Sequence, residues 1–245
     1  MRHHPAAPFR RFVPRLMMSG ALLIAVLGPA FADCNHMAVK VSGAADEQIF
    51  TCRALDEVLS YFEAGGLSVE PRLSIYFEPS VFVRIKGSPA NATGVLPVSG
   101  FYEGAANEIR ILNAATEGAG RRPWGLRWDA ATAFSILEHE IVHAVIAQIM
   151  GERYAKLPHA WHEALAYAVQ IDLMPTGLRD DVLARYPAEE GFANTLQVND
   201  IIYGLDPDHF AVAAYQTYKR GHGMAFLKRA IHFELEMIDL NDFLP

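Results

Sequence analysis

The stretch ILEHEIVHAV, residues 136–145, places two histidines four apart with a glutamate directly after the first, inside an apolar run. Ten His and sixteen Glu in 245 residues give about 0.03 chance matches to that pattern, so the spacing asks for a chemical reading. An α-helix turns by about 100° per residue, so positions four apart differ by about 40° and one turn of rise. His139 and His143 therefore project side by side and can hold one metal ion through two ring nitrogens. Glu140 points off that line at the same level, where a carboxylate next to an ion but not on it can act as general base. Leu137, Ile141, Val142, Val145 and Ile149 would bury the rest of the helix, and Glu138 reads as a surface residue. On this pentapeptide alone, two ordinary buried histidines remain the plainer alternative.

A catalytic zinc takes three protein ligands and keeps one position open. The continuation HExxHxxGxxH would need Gly at 146 and His at 149. Both are Ile, which removes that class. An acidic ligand on the next helix is the other solution, and LPHAWHEALAYAVQ (157–170) offers Glu163, twenty residues after His143. That distance lets the first helix end, a loop reverse and a second helix run back, with Trp161, Leu165 and Ala168 packing it down. His162 and His159 are further candidate ligands. His162 lies about 100° around the helix from Glu163, so the geometry favours Glu163.

HEIVH followed at this distance by WHEALA resembles the gluzincin, or peptidase MA-like, zinc metallopeptidases, in which a Glu within a W-x-E-x-x-A-type helix completes HExxH. VSGFYEGAANEIRIL is similar to the strand pair ending in the substrate-binding edge strand of that clan. HFAVAAYQTYKRGHGMAFLKRAI is similar to its later tyrosine-bearing helix, so the likeness spans roughly residues 46–235. The resemblance implies a zincin-like fold and a zinc ion on His139, His143 and Glu163, with Glu140 as general base. It implies a peptide or protein substrate extended along the edge strand around Asn107 to Leu112. Peptidases of the clan often add a donor from a later helix; Tyr215 is the expected one, with Tyr218 and His222 as alternatives. Thermolysin-like members carry an acidic residue four after the third ligand to orient the first histidine. Here that position is Tyr167, which leaves the partner of His139 unassigned. A zinc-binding or protein-binding module of the same fold without activity is the rival expectation, and a purely structural exported protein is the second.

The elements that must position these residues read as α+β. Asp46 to Ala64 keeps helical apolar spacing up to Gly65-Gly66. LSIYF, VFVRI, GVLPVSGFY and EIRIL, within a β-rich lobe of about 67–113, read as three or four strands of a small, mostly antiparallel sheet. A helical lobe of about 129–240 follows, with helices expected over Ala131–Met150, Ala160–Leu173, from Val182, over His209–Lys219 and over Met224–Met237. Asp206-Pro207-Asp208 reads as a turn and helix cap.

Arg2, Arg10, Arg11 and Arg15, the apolar run LMMSGALLIAVLGPA and Ala30-Phe31-Ala32 form a cleavable export signal over residues 1–32. The run is too short to span a bilayer, so residues 33–245 are expected as one periplasmic or secreted domain without stable membrane insertion. Losing four arginines and no acids takes the formal net charge from −7 to −11. Such a chain, with no basic cluster, is not expected to bind nucleic acid. The only two cysteines, Cys34 and Cys52, are expected to form a disulfide in an oxidising compartment. The sequon at Asn91 is expected to stay unmodified.

Overall fold

The helical spacing after Gly43 folds as α1 (Ala45–Ala64), with Glu47 accepting from the N–H of the preceding Ala44, and its buried stripe is made by Thr51, Ala54, Leu55, Val58 and Phe62. The structure is a computed structural model and describes Cys34, His36 and residues 38–84, 95–113 and 122–237. These all fall within one compact unit, 31–245. The export-signal expectation for residues 1–32 and the sequon at Asn91 lie outside the described residues.

The architecture is α+β with a small mixed sheet and, among the described residues, seven α-helices. The main sheet comprises β1 (Val39–Ser42), β2 (Leu73–Glu78), β5 (Gly100–Glu103) and β6 (Glu108–Leu112), in the order β1-β2-β6-β5. The β1–β2 and β2–β6 ladders are parallel and only β5–β6 is antiparallel, which corrects the expectation of a mostly antiparallel sheet. Parallel neighbours need a crossover. Helix α1 supplies one for β1 and β2, a pair hidden in the sequence because β1 has only four residues. A second correction follows from the strand order. β6, which contains most of the segment around Asn107 to Leu112, is interior, and β5 is the edge strand.

β2 continues through Pro79-Ser80 into β3 (Val81–Arg84), and β4 (Val95–Val98) continues through Ser99 into β5. Once β6 ends at Leu112, those continuations meet each other and pair antiparallel as a two-stranded arm. On the main sheet Leu73, Ile75, Ile109 and Ile111 point into the core. Arg110 stays on the outer face, ion-paired to Glu78 and Glu108.

Helix α2 (Ala130–Met150) is the centre of the molecule. Asp129 caps it by accepting Thr132 N at 2.9 Å, and Gly151 at φ 58° turns the chain at its end. With its 3-10 extension to Lys156 it is long and apolar enough to cross a membrane, yet 83% of that window is buried inside the fold, as in a core helix. α3 (His159–Leu173) runs against it after Pro158, and α4 (Thr176–Leu183) follows Pro175. The helix expected to begin at Val182 is thus one that nearly ends there. α5 (Asp200–Leu205) is capped by Asn199 and α6 (Pro207–Arg220) by Asp206, which bears out the Asp-Pro-Asp cap. α7 (Met224–Ile231) stops short of Met237, where Phe233 takes φ 57°. Cys34 and Cys52 form a disulfide with Cα atoms 5.1 Å apart, which points to an oxidising environment. Closing that loop stabilises the fold by about 3 kcal/mol in the chain-entropy model.

Because α2 is buried all round, Glu138 is not a surface residue. It is fully buried against α1, and among the described residues neither of its oxygens has a hydrogen-bond partner in good geometry. Burial first, then the nearby Glu57, push its carboxyl up to about 9 from 4.5, with Arg53 opposing. The folded protein therefore keeps this proton over a range where the unfolded chain has lost it, so this group's contribution falls as pH rises from 4.5 to 9. Glu138→Gln is expected to stabilise the protein, with a gain growing by up to about 1.4 kcal/mol per pH unit across that window. Denaturant melts at pH 5 and pH 8.5 check this. A gain independent of pH would contradict a buried, protonated Glu138.

Candidate metal centre

α2 and α3 bring His139, His143 and Glu163 together. His143 Nε2 lies 3.0 Å from His139 Nε2, and the two carboxylate oxygens of Glu163 lie 3.5 Å from one ring nitrogen each. A tetrahedral metal with bonds of about 2.0–2.1 Å separates its ligand atoms by about 3.3 Å; here one ligand atom from each residue lies within 4.8 Å of the other two, close enough for the three side chains to converge on one ion. All three side chains are largely buried at the floor of a cleft of about 620 Å³.

Glu163 is the third member of the group and His162 is not. The His162 ring turns toward the 3-10 segment after α2, with Nε2 3.2 Å from the Tyr154 carbonyl and its face stacked on the Tyr154 ring at 4.1 Å. His159 reaches across to α5, its Nδ1 2.9 Å from Asp200, while its Nε2 stays 3.9 Å from Glu163.

The partner of His139 that the sequence did not reveal is Gln170. Its Oε1 lies 3.0 Å from His139 Nδ1, and its Nε2 donates to Ser135 Oγ at 3.1 Å. Ser135 in turn donates to the Thr132 carbonyl. The chain is directional. A serine whose proton is spent on a carbonyl can only accept from the amide, which turns Oε1 toward His139. The His139 proton then belongs on Nδ1 and Nε2 is free to ligate. Tyr167, at the position where an acid was expected, instead lays its ring 4.4 Å from the His139 ring, and Trp124, at φ 52°, packs its edge on Tyr167. Gln170 lies seven residues after Glu163, two turns along the same helix face, where an amide carries little signal in sequence.

Glu140 stands beside the triangle, turned toward β5. The Tyr102 backbone N–H faces it, and a Cβ at Gly100 would come within 2.8 Å of its side chain, so only glycine leaves room there. Burial pushes the Glu140 carboxyl up to about 7, Glu163 adding and His139 opposing. Glu163 is held down at about 2, burial being outweighed by the two histidines. Burial drives His143 down to about 3. For His139 burial acts downward as well, but the carboxylates of Glu163 and Glu140 outweigh it and raise its pKa above 6.5.

Tyr215 does not line the cleft, which corrects the expectation for it. Its charged neighbours are Asp172, Lys219 and Arg179, and Asp172 is nine residues beyond Glu163 on α3, about 13 Å along the helix. Tyr218 belongs to the same end, hydrogen-bonded to Tyr61, which donates to Asp172 at 2.8 Å. His222 is absent from the lining too. Tyr154, half-buried, is one of the tyrosines that line the cleft, and its hydroxyl is kept protonated well above the ordinary phenol range by burial, then by Tyr102, Glu163 and Glu140. Its cue in sequence was only a place in the short link between the two ligand-bearing helices.

These contacts set an order of metal affinities. In a zinc titration, Glu163→Ala should weaken binding by more than about 100-fold. Gln170→Ala should cost about 10–100-fold, as for outer partners of ligating histidines, and His162→Ala should stay within about tenfold. As pH falls, His139 is the ligand that protonates first, because Glu163 stays ionised and His143 stays neutral down to about 3. Zinc affinity should fall about tenfold per pH unit below the raised pKa of His139, the slope for one competing proton. A slope of two would contradict this assignment.

The model of a Family of unknown function (DUF6639) matches residues 39–236. No curated protein and no solved structure matches the chain. The matched span holds β1 through α7 and all three members of the metal-binding group, and the chain belongs to the Family of unknown function (DUF6639).

Proposed function

We propose that this protein is an exported zinc metallopeptidase of zincin-like fold. The observation that carries this reading is Glu140, a buried carboxylate poised near neutrality beside a three-ligand triangle but not part of it. Two imidazoles and one carboxylate converging on one point suit zinc, and three protein ligands would leave one position open. His139, His143 and Glu163 would hold the zinc ion, which when bound would supply Lewis acidity beside Glu140.

The chain's own residues do the rest. Glu140, with a carboxyl matched to neutral pH, takes the proton of the attacking water and hands it to the departing amine nitrogen. Tyr154, held as a protonated phenol in the same cleft, donates a hydrogen bond to the oxyanion that develops on the scissile carbonyl. Gln170 and Ser135 hold the His139 ring. β5, the end strand of its sheet among the described residues, offers its outer edge at Gly100–Glu103, where the Tyr102 N–H faces Glu140, for an extended peptide to add as a further strand. The disulfide fits a periplasmic or secreted location, where such an enzyme would meet peptide or protein substrates.

Glu140→Gln, which retains all three ligands, is expected to keep one zinc per chain and to lose kcat on a peptide library by about 10²–10⁴-fold. Tyr154→Phe should fold and bind zinc normally with kcat down by about 10²-fold, while Tyr215→Phe leaves kcat unchanged. Wild-type activity in Glu140→Gln overturns the mechanism. Zinc-loaded wild type that cleaves no peptide would leave a zinc-binding module instead.

A further inference from the structure

The arm formed by β3 and β4 is unusually apolar for so exposed an element. Phe82 is 57% exposed, Leu96 52% and Val95 47%. Apart from Arg84, the two strands read VFV and VLPV. Exposed apolar strands invite unwanted pairing and are normally blunted with charge, so an arm left bare calls for an occupant.

The ladder register says which face is meant for it. Val83 and Val98 both line the metal cleft. Val83 pairs with Leu96 and Val98 pairs with Val81, and cross-strand partners share a face. Val83, Leu96 and Val98 therefore form one aliphatic row on the cleft side, while Phe82, Val95 and Pro97 lie on the other. Val98 runs through Ser99 into Gly100, where a Cβ would meet the Glu140 side chain, so the row leads directly into the strand beside the site.

We propose that this row selects an extended peptide carrying an apolar side chain about two residues from the bond presented to Glu140. The inference rests on the metallopeptidase reading and adds its substrate class. Strand residues advance by about 3.3 Å, so Val98 stands about 6.6 Å from Gly100, two positions along an extended ligand paired to this edge. Leu96 offers a second apolar contact four positions away. The occupant is a peptide rather than another apolar molecule because β5, the end strand among the described residues, turns backbone groups outward at strand spacing beside Glu140, which the Tyr102 N–H faces. Only another backbone satisfies them in register.

The test uses the zinc-loaded full protein as Glu140→Gln, so that ligands bind without turnover, and a displayed library of random decapeptides. The recovered peptides should carry Val, Ile, Leu or Phe at one fixed position. Adding Leu96→Lys should lower affinity for the best peptide by about tenfold and favour Asp or Glu at the matching position. Adding Val95→Lys, one residue away on the opposite face, should leave the selection as it was, which separates the row from general damage to the arm. Zinc content and melting temperature confirm that both variants fold. No apolar preference, a preference unchanged by Leu96→Lys, or no peptide bound by zinc-loaded protein overturns the proposal. Peptides bound as described but left uncut by the wild type would count against the peptidase reading and leave the selection by the arm standing.

Discussion

Holding two imidazole nitrogens 3.0 Å apart, with a carboxylate 3.5 Å from each, inside a closely packed cleft strips water from every one of these groups. Without a cation the arrangement leans on Glu163, whose ionised form is favoured by the two histidines, and on His139, which its carboxylate neighbours favour in the charged form. A divalent ion at the centre would satisfy all three donors at once. The rest of the fold follows from keeping that convergence rigid. α2 is buried all round so that its histidines cannot turn to solvent, and α3 is pinned beside it by Trp161, Leu165 and Ala168. The Gln170–Ser135–Thr132 chain spends every proton in one direction.

α2 carries carboxylates of two kinds on opposite sides. Glu138 faces α1 and is pushed so far up that it is neutral at physiological pH, a standing cost to stability. Glu140 faces β5 and stays near neutrality, because His139 and the Tyr102 N–H offset much of its desolvation. Residues two apart on one helix thus acquire different protonation states from what covers them. The sheet contributes through its edge. Gly100 lets the backbone come close to Glu140, and the same strand runs out into the apolar arm.

Features set by helical periodicity were legible in sequence. HEIVH and Glu163 could be placed because both lie on long, strongly periodic helices and because their chemistry restricts which residue types serve. The Cys34–Cys52 pair was legible because no other cysteines compete. What failed was nonlocal. Strand order decides which strand is an edge, and the apolar alternation of EIRIL is the same whether β6 is interior or terminal. Tyr215 was assigned inward correctly, being only 6% exposed, but inward on α6 meets the far end of α3 rather than the cleft. Tyr154 was passed over because its place in the cleft depends on where α2 ends, and Gln170 because its partners His139 and Ser135 lie on another helix. Local composition does not encode that.

On the proposed reading, His139, His143 and Glu163 together hold one zinc ion. Zinc K-edge X-ray absorption on the purified protein, together with its metal content, tests this most directly. The expected result is one zinc per chain with four nitrogen or oxygen neighbours at about 2.0–2.1 Å and the outer scattering of two imidazoles. A six-oxygen shell, a single imidazole, or well under one zinc per chain after dialysis against zinc would contradict it.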